Sequence, residues 1–132
     1  MDSTPQPAIS PIASLERAVR KGMAYADFRS EAMAQGWTPV VDPECRANVV
    51  GADHAAVCAA NPDLCRVCED IPELSAYSGD AHSLSVFHNA AHGLRLEVTG
   101  LGELRDWNVP GEDSGLQIVS WEITPENASS NP

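Results

Sequence analysis

The sequence predicts a two-layer α+β domain, with two N-terminal helices packed on an antiparallel sheet of three or four strands. Three observations lead there. Two amphipathic helical patterns open the chain, an alternating hairpin fills its middle, and one more alternating strand follows near its end. Helices followed by a meander give this fold class, because each apolar stripe and sheet face must find a partner. The 132 residues, 43% of them hydrophobic, suit one core rather than two. The expected domain is 10–123, with a disordered N-terminus over 1–9 and a mobile tail over 124–132.

The first helix follows from Ser10 as N-cap and Pro11 as first helical residue. Ile12, Leu15 and Val19 then recur three and four apart, down to Gly22. A second helix runs from about Met23 to Gln35, with Tyr25, Phe28 and Ala32 on one face and Gly36 as its left-handed stop. Trp37 to Val41 is extended, and Pro39 confines it to a sheet edge. Asp53 to Ala60, rich in alanine, reads as a helical turn or two. Asn61 and Pro62 open a further short helix that ends at Pro72.

From His82 to Gly100 the chain alternates. Leu84 and Val86 are separated by serines, and Leu94, Leu96 and Val98 by Arg95 and Glu97. Strict alternation places one row on a buried face and the other in water, so Leu84 and Val86 are expected inside, Ser83 and Ser85 outside. Leu101 to Gly115 reads as a long acidic surface loop, and Leu116 to Ile123 as a third strand with Val119, Trp121 and Ile123 on one face.

The net charge of −11 disfavours nucleic acid and anionic membranes, whose phosphates would be repelled. No apolar run reaches the roughly 18–20 residues of a membrane helix, and the N-terminus has no signal-peptide pattern. A cytoplasmic location is therefore expected, and with it reduced thiols at Cys45, Cys58, Cys65 and Cys68.

One constellation has the residue types of a tetrahedral zinc site: Cys65 and Cys68 in a CxxC, followed by His88 and His92 in an HxxxH. Zinc there would clip a helix to the hairpin. The same CxxC near a helix start is also the pattern of a thiol oxidoreductase. A cysteine nucleophile with His54 or His82 has nothing to order it, and Asp106, Asn108, Glu112 and Asp113 lack the EF-hand spacing for calcium. No phosphate loop or hydrolase elbow is present. A non-enzymatic protein-binding role is the preferred expectation: an inhibitor, immunity or accessory factor with no resident cofactor. Its partner would carry a basic surface facing Glu103, Asp106, Glu112 and Asp113, since complementary charge speeds encounter and fixes orientation.

Gly22-Met23-Ala24-Tyr25, Gly36-Trp37-Thr38-Pro39, Pro72-Glu73-Leu74, Ser78-Gly79 and Val119-Ser120-Trp121 together resemble a loosely defined group of small uncharacterised bacterial proteins. Members of that group look like secreted or lipid-anchored domains, with a cysteine just before the Ser-Gly. Here Tyr77 stands at that place. The helix-helix-meander order also resembles the fold of β-lactamase-inhibitor-like proteins. Neither resemblance implies a reaction.

Overall fold

The hairpin is the centre of the molecule. In the computed structural model, which describes residues 10–126, β3 (His82–Asn89) pairs antiparallel with β4 (Leu94–Gly102), and β4 with β5 (Leu116–Pro125). The far edge of β3 is shared. β1 (Thr38–Pro39) takes its C-terminal end at Phe87 and His88, and β2 (Leu74–Tyr77) its N-terminal half. Five strands thus make a sheet four ranks wide, in line with the α+β expectation.

Helices α1 (Pro11–Ala18) and α2 (Tyr25–Ala34) form where expected. Ser10 Oγ accepts the Ala13 amide at 3.0 Å, satisfying one of the donors that open a helix. Gly36, at φ +94°, lets the Trp37 amide return to the Ala32 carbonyl at 3.0 Å and closes α2. Leu15, Tyr25, Phe28, Trp37, Phe87, Leu96, Val98 and Ile118 are all buried in one cluster. Each large side chain contributes about 1.5–3 kcal/mol by leaving water. Phe28 meets Trp121 with ring centroids 5.9 Å apart, joining α2 to β5.

Two strand faces differ from expectation. Ser83, Ser85, Phe87 and Asn89 form the row of β3 that faces the main core, opposite Gly100, Val98, Leu96 and Leu94, while Val86 is buried as expected, on the other face, and Leu84 is half-buried. The small serines make room. A Cβ on Gly100 would lie 2.7 Å from Ser83 Oγ, and the space above Ser85 is taken by the Tyr25 hydroxyl and the Glu73 carboxylate. In β5 the register shifts opposite Thr99 and Gly100, with Ser120 and Ile118 as their partners, so Val119 is the extra residue of a bulge. Leu116 and Ile118 therefore face the core before it and Trp121 and Ile123 after it, while Val119 is exposed.

Between β1 and β2 lie three short helices: α3 (Cys45–Val50), α4 (His54–Ala60) and α5 (Pro62–Asp70). At six, seven and nine residues none is long enough to hold itself in water. They are cross-linked instead. Cys45 is bonded to Cys68 and Cys58 to Cys65, with Cα atoms 5.9 and 5.7 Å apart. The loops closed span 23 and 7 residues, and the loss of unfolded-chain freedom corresponds to about 3.4 and about 2.4 kcal/mol. The expectation of reduced thiols is corrected here: among the described residues no cysteine is free.

The expected long loop is also more ordered than a surface loop. β4 runs to Gly102, and two 3₁₀ turns, Leu104–Asp106 and Gly111–Asp113, follow. Asp106 Oδ2 accepts the Gly115 amide at 2.7 Å and ties the two ends together. β5 extends two residues beyond the expected end of the domain. The expected disordered stretch 1–9 and most of the expected tail lie outside the described residues. Among the described residues no helix is long and apolar enough to cross a membrane.

Candidate functional site: a valine-lined cleft

Five segments between Val49 and Arg105 meet around a cleft of about 510 Å³. α3 contributes Val49 and Val50, α4 Val57, and α5 Val67 with Asp63 at the rim. The opposite wall is Tyr77 of β2 with Glu103, Leu104 and Arg105. Branched, short side chains leave a smooth apolar hollow where longer ones would fill it. An apolar recess of this size with a few polar groups at its edge is the usual form of a binding site.

The wall opposite the helices is held firmly. The Tyr77 hydroxyl donates to the Gly102 carbonyl at 2.7 Å, and the Glu103 amide donates to the Gly115 carbonyl at 2.9 Å. Burial, and then the nearby Glu103 charge, push the Tyr77 pKa up, so it stays a neutral donor. Leu104 and Trp107 both pack on the core. The rim acids each have a basic neighbour: Asp63 lies 2.9 Å from Arg66, and Glu103 lies 3.9 Å from Arg105. All four are largely exposed, so these pairs contribute little and can exchange for outside partners.

Behind Trp107 lies a buried charge cluster. Glu73 is fully buried, and its carboxylate accepts from the Tyr25 hydroxyl at 2.7 Å and from Arg29 at 2.6 and 3.3 Å. The Arg29 guanidinium sits 5.5 Å from the Trp107 ring centroid. Burial works against the Arg29 charge, but the hydrogen bonds and charge of Glu73 outweigh it and raise its pKa. Tyr25 is raised well above its ordinary value, first by burial and then by the Glu73 charge. A saturated carboxylate sealed from solvent cannot meet a substrate. The cluster positions α2 against β2 and, through Trp107, supports the cleft.

The expected zinc ligands are not brought together. Cys65 and Cys68 are bonded to Cys58 and Cys45. His88 stands on β3 with Nδ1 3.3 Å from Glu126, and His92 in the turn Ala90–His92 with Nδ1 3.1 Å from Asn89 Oδ1. Among the described residues no group of three metal-ligating side chains occurs. The CxxC has no internal bond, because its two cysteines, on successive turns of α5, each bond to a different helix. His82 lies 3.0 Å from Asp80 and His54 begins α4, with no free thiol for either to activate.

Of the four expected partner-binding acids, Glu103 and Asp106 both lie beside Gly115, and Glu112 and Asp113 sit together in another turn. Glu103 lines the cleft. Asp106 is spent on the Gly115 amide. Glu112 and Asp113 occupy the second 3₁₀ turn, whose Gly111 amide is held by Asp27 at 2.9 Å. Sequence reasoning missed the four valines, Tyr77 and Leu104 as a site, because no motif or spacing links them. Compared with known proteins, the chain has no significant match to a family, a curated protein or a solved structure.

Proposed function

We propose that this domain acts by binding another protein, without catalysis, as an inhibitor, immunity or accessory factor. The observation behind this reading is the valine-lined cleft, which is open to solvent and carries the carboxylates of Asp63 and Glu103 at its edge. An apolar side chain of the partner enters the hollow, and basic residues around that side chain meet Glu103 and Asp63. A basic partner surface is favoured by the net charge of −11, which attracts it over a long range and weakens with added salt. Two disulfides support an oxidising compartment over the cytoplasm expected from free thiols.

Affinity capture from the native cells, with wild-type protein and a Leu104→Lys, Val57→Lys variant side by side, tests the reading. A partner held by the wild type, lost by the folded variant and weakened by salt is the expected result. A partner that binds both proteins equally places the contact elsewhere, and turnover of a substrate by the purified domain ends the non-enzymatic reading.

A further inference from the structure

The two disulfides have unequal surroundings. Each bond joins a buried cysteine, Cys45 or Cys65, to a partly exposed one, Cys68 or Cys58, but Cys45 belongs to the core cluster and Cys68 packs against it. Cys58 and Cys65 lie outside the cluster. Their bond borders a separate surface pocket of about 330 Å³, with Arg46 and Arg66 around it. Cys58 is partly exposed and Cys65 is buried, so an incoming thiolate meets the Cys58 sulfur first. The helix that carries Cys58 has little else to hold it. α4 buries none of its residues, has no side-chain hydrogen bond at its N-cap, and packs chiefly on α5 and α3.

We infer that Cys58–Cys65 is a redox latch, opened by dithiol reductants while Cys45–Cys68 stays closed, and that its opening removes the α4 wall of the cleft. One thiolate of the reductant attacks Cys58 Sγ, the Sγ–Sγ bond breaks, and Cys65 leaves as a thiolate that takes a proton from solvent. The second thiolate of the reductant then displaces Cys58 and closes a cyclic disulfide. Two electrons pass from the dithiol to the protein, and two cysteine thiols result. Arg46 and Arg66 border the departing thiolate, although each already shares its charge with a carboxylate, Glu69 at 2.8 Å and Asp63 at 2.9 Å. Without the bond, seven residues with no buried side chain do not remain helical, and Val57 leaves the hollow.

The latch itself stands on the two environments, whereas its control of partner binding rests on the reading of the cleft given above. The full chain is equilibrated in graded mixtures of reduced and oxidised dithiothreitol, alkylated with iodoacetamide, and mapped by peptide mass spectrometry. Cys58 and Cys65 are expected to be alkylated in buffers where Cys45 and Cys68 are not. In that state amide exchange over 54–60 is expected to rise by at least about tenfold while the strands stay protected. Alkylation of all four cysteines together, or of Cys45 and Cys68 first, overturns the inference, as does unchanged protection of 54–60 in the half-reduced protein. If the latch opens as expected but the captured partner still binds the half-reduced protein, the cleft reading fails and the latch survives.

Discussion

Replacing Arg29 by methionine keeps a long, flexible side chain against Trp107 but strips the Glu73 carboxylate of its cation. Glu73 is fully buried, and the Arg29 side chain is only 18% exposed, so the charge left behind has no route to water. Of the three hydrogen bonds to the carboxylate, the one from Tyr25 would remain. Breaking a buried pair from one side costs about 3–5 kcal/mol, a large part of the roughly 5–15 kcal/mol that stabilises a domain. Glu73→Gln is expected to cost less, about 1–3 kcal/mol, because Arg29 keeps its partial access to solvent and Tyr25 can still donate to the amide oxygen. The double variant, with neither charge, should be more stable than Arg29→Met alone. Urea unfolding followed by tryptophan fluorescence and far-UV circular dichroism measures all three, and an unchanged m-value guards the comparison. A loss under about 1 kcal/mol for Arg29→Met, or a double variant as unstable as the two single losses combined, would refute the reasoning.

Three further outcomes are expected. Gly102 has φ +128°, and a Cβ there would overlap the Gly115 carbonyl oxygen, so Gly102→Ala should cost about 2–5 kcal/mol in chemical denaturation and loosen the Leu104 wall of the cleft. Ala81 has φ +68° in the turn between β2 and β3, where Ser78 and His82 hold the Asp80 pKa down at about 2. Ala81→Gly relieves the left-handed strain and should stabilise by about 0.5–1 kcal/mol, read as a rise in Tm. Because the folded site favours the neutral Tyr25 hydroxyl, its contribution is complete below pH ~10 and declines as pH rises from there toward its own higher pKa. Tyrosinate absorbance at alkaline pH should therefore show Tyr77 titrating first and Tyr25 only with unfolding, a coupling that Tyr25→Phe removes.

Local chemistry was readable where one residue decides the backbone. Ser10 and Pro11 mark the start of α1 and Gly36 the end of α2, because caps and left-handed stops act over a single turn. The hairpin was readable as a hairpin. Its inner face was readable in β4, where Leu94, Leu96 and Val98 turn inward, but not in β3, because alternation assumes an apolar core and here the core above Ser85 holds a phenol and a carboxylate. The bulge at Val119 escaped for a related reason: an inserted residue reverses the alternation without leaving a compositional mark. The cysteines misled by proximity. CxxC spacing suggests a joint role for Cys65 and Cys68, yet neighbouring turns of one helix direct them to Cys58 and Cys45. The cleft draws on α3, α4, α5, β2 and the turn after β4, and no window of sequence contains it.

The shared edge of β3 has an architectural consequence. The chain leaves the sheet after Pro39 and returns at Leu74 beside the same neighbouring strand, so the excursion carrying α3 to α5 begins and ends at one seam. Such a cassette can change length or composition without altering the order of the strands, provided that Cys45, Ile71 and Glu73 keep their places beneath it. If the cleft binds as proposed, recognition falls mainly to this insert and folding mainly to the frame. The seam is the natural point at which to graft a differently lined hollow onto the same scaffold.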